Sequence, residues 1–467
     1  MRQYDFDMFV IGSGPAGHRA AIQAAKLGRL VAVAEAKAVV GGACINTGTI
    51  PSKTLREAAL HLSGYRERSF YGESYVVKKA ITMTDLLHRA QNVIRNEIDV
   101  SRHQLERNGV KLLNARASFV NPNTLLLDYQ DGNGKRNVTA ENVVISVGTK
   151  TTKPKNIPFD SQRVITSDEV LSLENLPKTL TVVGAGVIGL EYATIFATLG
   201  VRVTVVDERT EILPFVDREI IDALIFHMRD SRVSFRLGEK IKKIRPLDKE
   251  PDSHISIELH SGKTIDAEKV LYSVGRTGAT ENLNLKKAGL TACARGQLTV
   301  NDHYQTEVPH IYAVGDVIGF PSLASTAMEQ GRVAACNAFG VNTKTVPELL
   351  PYGIYTIPEI STVGKSEQQL TSEGTPYEVG RASYKEIARG QIIGDHRGLL
   401  KLMFNPRDLK LLGITVLGEG ASELIHIGQA VLSLGGTIEY FVNTVFNYPT
   451  LAECYKTAAF DGLNRLA

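Results

Sequence analysis

One long pattern occurs twice in this chain, and the repeat restricts the fold more than any other feature. The first copy, DFDMFVIGSGPAGHRAAIQAAKLGRLVAVAEA (5–36), runs from an apolar strand through Gly12, Gly14 and Gly17 into an alanine-rich helix and a second strand ending at Glu35. The second, LTVVGAGVIGLEYATIFATLGVRVTVVDER (180–209), repeats it with Gly184, Gly186 and Gly189 and reaches Asp207. In each copy the acid lies 18 residues beyond the third glycine. A lone G-x-G-x-x-G is weak, but strand, glycines, helix and late acid together form a dinucleotide-binding fingerprint. One glycine makes the tight turn, one lets backbone approach a pyrophosphate, and one lets the helix pack closely. The phosphate then meets the unpaired N–H groups and positive dipole end of the helix. Two such units predict an α/β protein with two Rossmann-like dinucleotide-binding domains and two different dinucleotides.

At 467 residues the chain is too long for one core, so about three domains are expected. Between the repeats, TLREAALHLSGYRE and MTDLLHRAQNVIRNEIDVSRHQLERNG carry helical spacing, and LLLDYQDGNGKRNVTA reads as a hairpin with a Gly/Asn turn. NVVISVGTK (142–150) reads as a strand closing the first part, and a connection with Pro154, Pro158 and Pro177 leads to the second. That part ends near KVLYSVGRTG (269–278), after which HIYAVGDVIGFPSLASTAMEQGRVAACNAFG returns to strand and helix patterns that complete the first domain. The expected division is residues 1–150 with 279–345, then 151–278, then an α+β C-terminal domain over 346–467 without a nucleotide motif, suited to packing or dimerisation.

Composition excludes several classes. With 43% hydrophobic and 22% charged residues the chain is ordinary globular material. A net charge of +3 gives no reason to expect nucleic acid or an anionic membrane, and EKIKKIR (239–245) reads as a solvated strand face. No apolar run approaches the ~20 residues that span a bilayer. The four cysteines, Cys44, Cys293, Cys336 and Cys454, form no C-x-x-C pair, and the N-terminus runs into a strand without an export signal. A reducing, cytoplasmic setting is therefore the expectation. None of the 11 histidines sits in a metal-binding pattern, so no metal is expected, and His426 in ELIHIGQAV reads as a packed helix histidine.

With both fingerprints, GGACINTGTIPSK (41–53) and YAVGD (312–316) in this order, the chain resembles the pyridine nucleotide disulfide oxidoreductase flavoproteins over essentially its whole length. The resemblance implies FAD in the first site, NAD or NADP in the second, and a homodimer or higher homo-oligomer built on the C-terminal domain. It places Gly12, Gly14, Gly17, Glu35, Gly42, Cys44, Lys53, Gly148 and Asp316 around FAD, with Glu35 on the adenosine ribose and Asp316 on the ribityl chain. It places Gly184, Gly186, Gly189, Glu191, Asp207, Arg209 and Gly275 around the nicotinamide cofactor. Lys53 and Glu191 fall where the family has an ion pair beside flavin N5. Asp207 suits the 2′-hydroxyl of NAD. Arg209 either pairs with the 2′-phosphate of NADP or is an exposed loop cation, while Asp207 and Glu208 repel that phosphate.

Two departures from the family pattern bear on the reaction. The redox loop has the form C-x-x-x-x-C in the family, but Cys44 is followed by Thr49 in the second position. Near the C-terminus the family carries H-P-T-x-x-E, and this chain reads FNYPTLAE, with Tyr448 for the histidine and Glu453 kept. A phenol titrates near ~10 against ~6.5 for imidazole, which makes it a poor proton shuttle at neutral pH. Both changes remove disulfide exchange and leave the nucleotide motifs intact. The implied activity is an NAD(P)+ transhydrogenase of the Si-specific type: reversible, ping-pong hydride exchange between NADPH/NADP+ and NADH/NAD+ through FAD. Cys44, Thr49, Tyr448 and Glu453 are then modulators at most. Open alternatives are an NAD(P)H diaphorase or oxidase, a disulfide reductase of the dihydrolipoamide dehydrogenase kind pairing Cys44 with a distant thiol such as Cys454, and a non-catalytic flavoprotein.

Overall fold

The structure is a computed structural model that describes residues 3–130, 132, 134–247, 254–343 and 349–466. It divides into two compact units, one from the spans 1–54, 87–153 and 275–347, the other from 55–86, 154–274 and 348–467. The expected boundary between 345 and 346, and residues 131 and 133 of the expected hairpin turn, lie outside the described residues.

In the first unit the central strand Phe6–Ile11 pairs in parallel with Val31–Glu35 on one side and Lys135–Ile145 on the other. Lys111–Asn121 and Ile311–Ala313 extend the sheet at its two ends. The register Ile11↔Ala34 and Ile11↔Ile145 brings the carboxyl ends of the three inner strands level, so the loops that follow them share one edge. Parallel strands covered on both faces require apolar side chains throughout, and VAVAE (31–35) is buried at every position. Helix Pro15–Lys26 packs against Ala324–Ala338; a Cβ on Gly331 would stand 2.0 Å from the Ala16 carbonyl, so glycine permits that approach. The hairpin pairs Thr124–Tyr129 antiparallel with Lys135–Ile145. The strand read over 142–150 stops at Ile145; Ser146–Gly148 turns, with Gly148 at φ +65°, and Thr149–Thr151 pairs instead with Arg276–Gly278.

The second unit repeats the scheme: Thr179–Val183 lies between Arg202–Asp207 and Lys269–Tyr272, all parallel, with Val233–Leu237 and Val164–Ile165 outermost. Ile241–Pro246 pairs antiparallel with Ile255–Leu259, leaving Lys242 and Lys243 exposed and Ile244 buried. The C-terminal part builds a five-stranded antiparallel sheet, with helices Ala421–Ser433 and Glu453–Asn464 closing its core over Leu402, Phe404, Ile414 and Tyr455. His426 is not packed: the buried stripe of its helix is Ala421, Leu424, Ile425, Gly428 and Val431, which turns His426 outward, where Nδ1 meets Gln429 Oε1 at 2.8 Å. Among the described residues no helix is long and apolar enough to cross a membrane.

Candidate functional site

The three glycines of each fingerprint meet different surroundings. Gly12 and Gly184 both have φ +101°, a conformation open to glycine, and a Cβ there would lie 2.6 Å and 3.0 Å from the carbonyls of Ser146 and Ser273. A Cβ on Gly17 or Gly189 would lie 2.0 Å from the carbonyl of Gly12 or Gly184, so these positions serve helix-to-strand packing. The middle glycines answer to no such demand. A Cβ on Gly186 would meet nothing within 4 Å, and one on Gly14 would meet Gly42 Cα at 3.9 Å. Helices Pro15–Lys26 and Val187–Thr198 begin at these glycines with no side-chain cap and no acid in the first turn. Open space before an uncapped helix N-terminus fits a dinucleotide pyrophosphate in both units.

Each fingerprint acid is fastened by the residue inside its own glycine turn. Glu35 is buried; Ser13 N and Oγ donate to its Oε2 at 3.0 and 2.6 Å, and Lys37 N donates to Oε1 at 3.0 Å. Asp207 accepts from Ala185 N at 2.6 Å and Arg209 N at 2.8 Å, and the Arg209 guanidinium adds Nε to Oδ1 at 2.9 Å and Nη2 to Oδ2 at 2.7 Å. Burial pushes the Asp207 carboxyl up, but these donors outweigh it and hold the group below its usual range.

Sequence reasoning passed over three supports. Ser146 Oγ donates to the carbonyls of Ile11 and Gly12, each at 2.9 Å, and Ser273 Oγ donates to those of Val183 and Gly184 at 2.8 and 3.0 Å. The signal was available as a repeated Ser-Val-Gly, at 146–148 and 273–275. The second is Arg276, whose Nε donates to Thr149 Oγ1 at 2.8 Å; that hydroxyl lies 3.3 Å from Asp316 Oδ2. Burial raises the Asp316 carboxyl pKa, against the pull of Arg276 and Thr149. Gln330 also holds this turn, Oε1 accepting from Gly315 N at 2.8 Å. A residue outside any motif has no pattern to announce it, and Arg276 and Gln330 are of that kind.

The stretch 41–53 is largely helical rather than a loop. Gly41 and Gly42, at φ +99° and +58°, turn the chain into helix Gly42–Asn46, and Thr49 begins helix Thr49–Ser63. Gly41 N donates to the Ser13 carbonyl and hydroxyl, so this turn is tied to the first fingerprint. Cys44 is a free, half-buried thiol; burial pushes its pKa up further than its hydrogen bond with Thr49 pulls it down, so it is no ready thiolate. Lys53 Nζ lies 3.4 Å from Ser52 Oγ.

In the second unit Glu191 is buried on helix Val187–Thr198, and its Oε1 accepts from Tyr355 N at 2.9 Å. Gly184 and Gly186 lead into that helix and Ala185 N between them ties the turn to Asp207, while Gly275 opens the last span of the first unit, at φ +81°. Tyr448 is exposed, and Glu453 Oε2 is buried with no hydrogen-bond partner among the described residues. Cys454 is fully buried in the C-terminal core, which pushes its thiol up to about 12. The acidic group Asp217, Glu219 and Glu367 has oxygens close enough for a metal ion, but the buried Lys401 ammonium occupies that place, 2.8 Å from Asp217 and 2.9 Å from Glu219, and it also pairs with Glu367.

Two open-glycine fingerprints with buried acids, each on a parallel sheet, define an α/β protein with two dinucleotide-binding folds. The family model for pyridine nucleotide-disulphide oxidoreductases matches residues 6–331 and that for their dimerisation domain matches 350–459, and the chain belongs to this family. It is 52% identical over 466 residues to soluble pyridine nucleotide transhydrogenase of Mycobacterium bovis (strain BCG / Pasteur 1173P2), covering 100% of this chain and 98% of that one. To the protein of the same name from Shigella boydii it is 46% identical, with 99% of each chain covered. Among solved structures it is similar to the HOCl-induced flavoprotein disulfide reductase RclA from Escherichia coli, with a TM-score of 0.87 and 26% identity over 97% of this chain and 99% of that one.

Proposed function

We propose that this protein exchanges a hydride between NADPH/NADP+ and NADH/NAD+, without a redox-active disulfide, as an NAD(P)+ transhydrogenase. The observation that carries the reading is the contrast between two fingerprints with space for dinucleotides and a single, burial-raised Cys44 thiol facing Thr49. The names of the full-length relatives support it. FAD, when bound, supplies a centre that takes a hydride from one nicotinamide and returns it to the next, so two cofactors use one site in turn.

The chain's own residues bind and orient. The N–H groups at the starts of helices Pro15–Lys26 and Val187–Thr198 receive pyrophosphate, and Glu35 and Asp207 take adenosine ribose hydroxyls. Asp316, propped by Thr149, takes the ribityl hydroxyls, and Lys53 and Glu191 set the charge around N5. In this reading residues 1–150 with 279–345 form the FAD domain and 151–278 the nicotinamide domain. Residues 346–467 form the dimerisation domain of a homodimer, in keeping with the family-model match there. The test is NADPH-dependent reduction of thio-NAD+ by the purified yellow protein, with lipoamide and oxidised glutathione as parallel acceptors. Rapid thio-NAD+ reduction with idle disulfides supports the reading; turnover of either disulfide overturns it.

A further inference from the structure

The two fingerprint acids occupy the same place in two copies of one motif, yet they are held differently. Glu35 is satisfied by a hydroxyl and backbone amides and has no cation partner among the described residues. Asp207 carries a guanidinium fork on its two oxygens. The first site always receives the same kind of ribose if it holds FAD, whereas the proposed exchange asks the second to take a ribose with and without a 2′-phosphate.

From this contrast we propose that Asp207 and Arg209 are an exchangeable ion pair that lets one nicotinamide site accept both riboses. This rests on the functional reading above and explains its dual cofactor use. The pair is built to open. The Asp207 side chain is 8% exposed and keeps two donors, Ala185 N and Arg209 N, when the guanidinium leaves; the Arg209 side chain is 52% exposed and free to swing. The backbone of Arg209 stays anchored, because its carbonyl accepts from Gly238 N at 3.0 Å. Glu208, the other acid beside the site, faces Lys240 at 3.6 Å, so neither acid stands uncompensated.

With NAD, the 2′-hydroxyl donates to Asp207 and replaces the donors that Arg209 withdraws. With NADP, the guanidinium turns its planar fork onto the 2′-phosphate, a geometry it matches as well as it does a carboxylate, and shields the phosphate from Asp207. Arg209 thus favours the 2′-phosphate and cancels the penalty that Asp207 sets on it, while Asp207 favours the bare ribose, so the pair together discriminates little.

The experiment titrates the FAD-loaded protein with 2′,5′-ADP and with 5′-ADP by calorimetry; neither fragment carries a nicotinamide. Arg209→Gln is expected to weaken 2′,5′-ADP about tenfold to a hundredfold, the worth of one charge-assisted contact, and to leave 5′-ADP within about threefold. Asp207→Asn is expected to shift the ratio the other way, and Arg209→Lys to recover part of the loss, as a charge without the fork. In turnover, Arg209→Gln should raise KM for NADPH severalfold more than KM for NADH. Equal weakening of both fragments, or no change in their ratio, overturns the proposal. Since the fragments do not react, a failed hydride-exchange assay would sink the proposed reaction and leave this result readable on its own.

Discussion

The middle glycine of the second fingerprint gives the sharpest test of whether its open space belongs to a cofactor. Gly186 has φ −80° and ψ −179°, which alanine adopts freely, and its added Cβ would touch no protein atom within 4 Å. Gly186→Ala should therefore cost about 1 kcal/mol of stability or less, the difference between glycine and alanine at a helix N-cap. The methyl group would fill the place of a pyrophosphate oxygen, and an overlap of this size loses about 1.5–3 kcal/mol, or roughly tenfold to a hundredfold in Kd. Gly189→Ala makes the internal contrast: its Cβ would lie 2.0 Å from the Gly184 carbonyl and 2.7 Å from Ser273 Oγ, so helix and turn must separate. That variant should lose about 1–3 kcal/mol of stability or more before any question of binding. Urea unfolding followed by calorimetric NADH titration separates the two, and flavin content should stay normal in Gly186→Ala. A stable Gly186→Ala protein that binds NADH as tightly as the parent would refute the reasoning.

Three further outcomes are expected. Cys44→Ser should keep NADPH to thio-NAD+ exchange within about twofold, because a lone protonated thiol supplies no electrons; a dead variant restores the thiol pathway. Lys401→Met leaves Asp217, Glu219 and Glu367 without their shared, fully buried ammonium and should cost about 3–5 kcal/mol in urea unfolding, against less than 1 kcal/mol if the cluster were solvated. The Cys454 thiol goes from 9.0 to about 12 on burial, so the folded state keeps a proton that the unfolded chain releases. Its contribution is complete below pH ~9 and is lost as the pH climbs toward ~12, and Cys454→Ala should flatten the alkaline fall of stability across that window; an unchanged slope would count against the burial argument.

Local regularity decided what could be read in advance. The fingerprints were legible because strand, glycine and helix signals follow one another without a gap, and the structure places Gly12, Gly14, Gly17 and Glu35 around one turn. The paired serines had a signal in the repeated Ser-Val-Gly that went unread. His426 misled because a histidine between apolar residues looks packed, whereas the helical period turned it outward. The resemblance makes 41–53 a redox loop, but Gly41 and Gly42 make one turn, after which both halves coil into helices.

The sequence by itself determined two dinucleotide folds and their order, and it sets Thr49 five residues after Cys44 and Tyr448 before Pro449, since each is a matter of residue identity at short spacing. Tertiary structure decided what those residues face. Ser146 reaches the first turn from 134 residues away, Arg276 props the Thr149 beside Asp316, and Lys401 gathers acids from two distant segments. It also decided that Glu35 meets the hydroxyl of Ser13 and that Asp207 meets the amide of Ala185, each from 22 residues away. Backbone preference and hydrophobic period act over a few residues and are written locally, whereas burial, charge pairing and the pKa shifts they cause exist once distant segments have closed around a group.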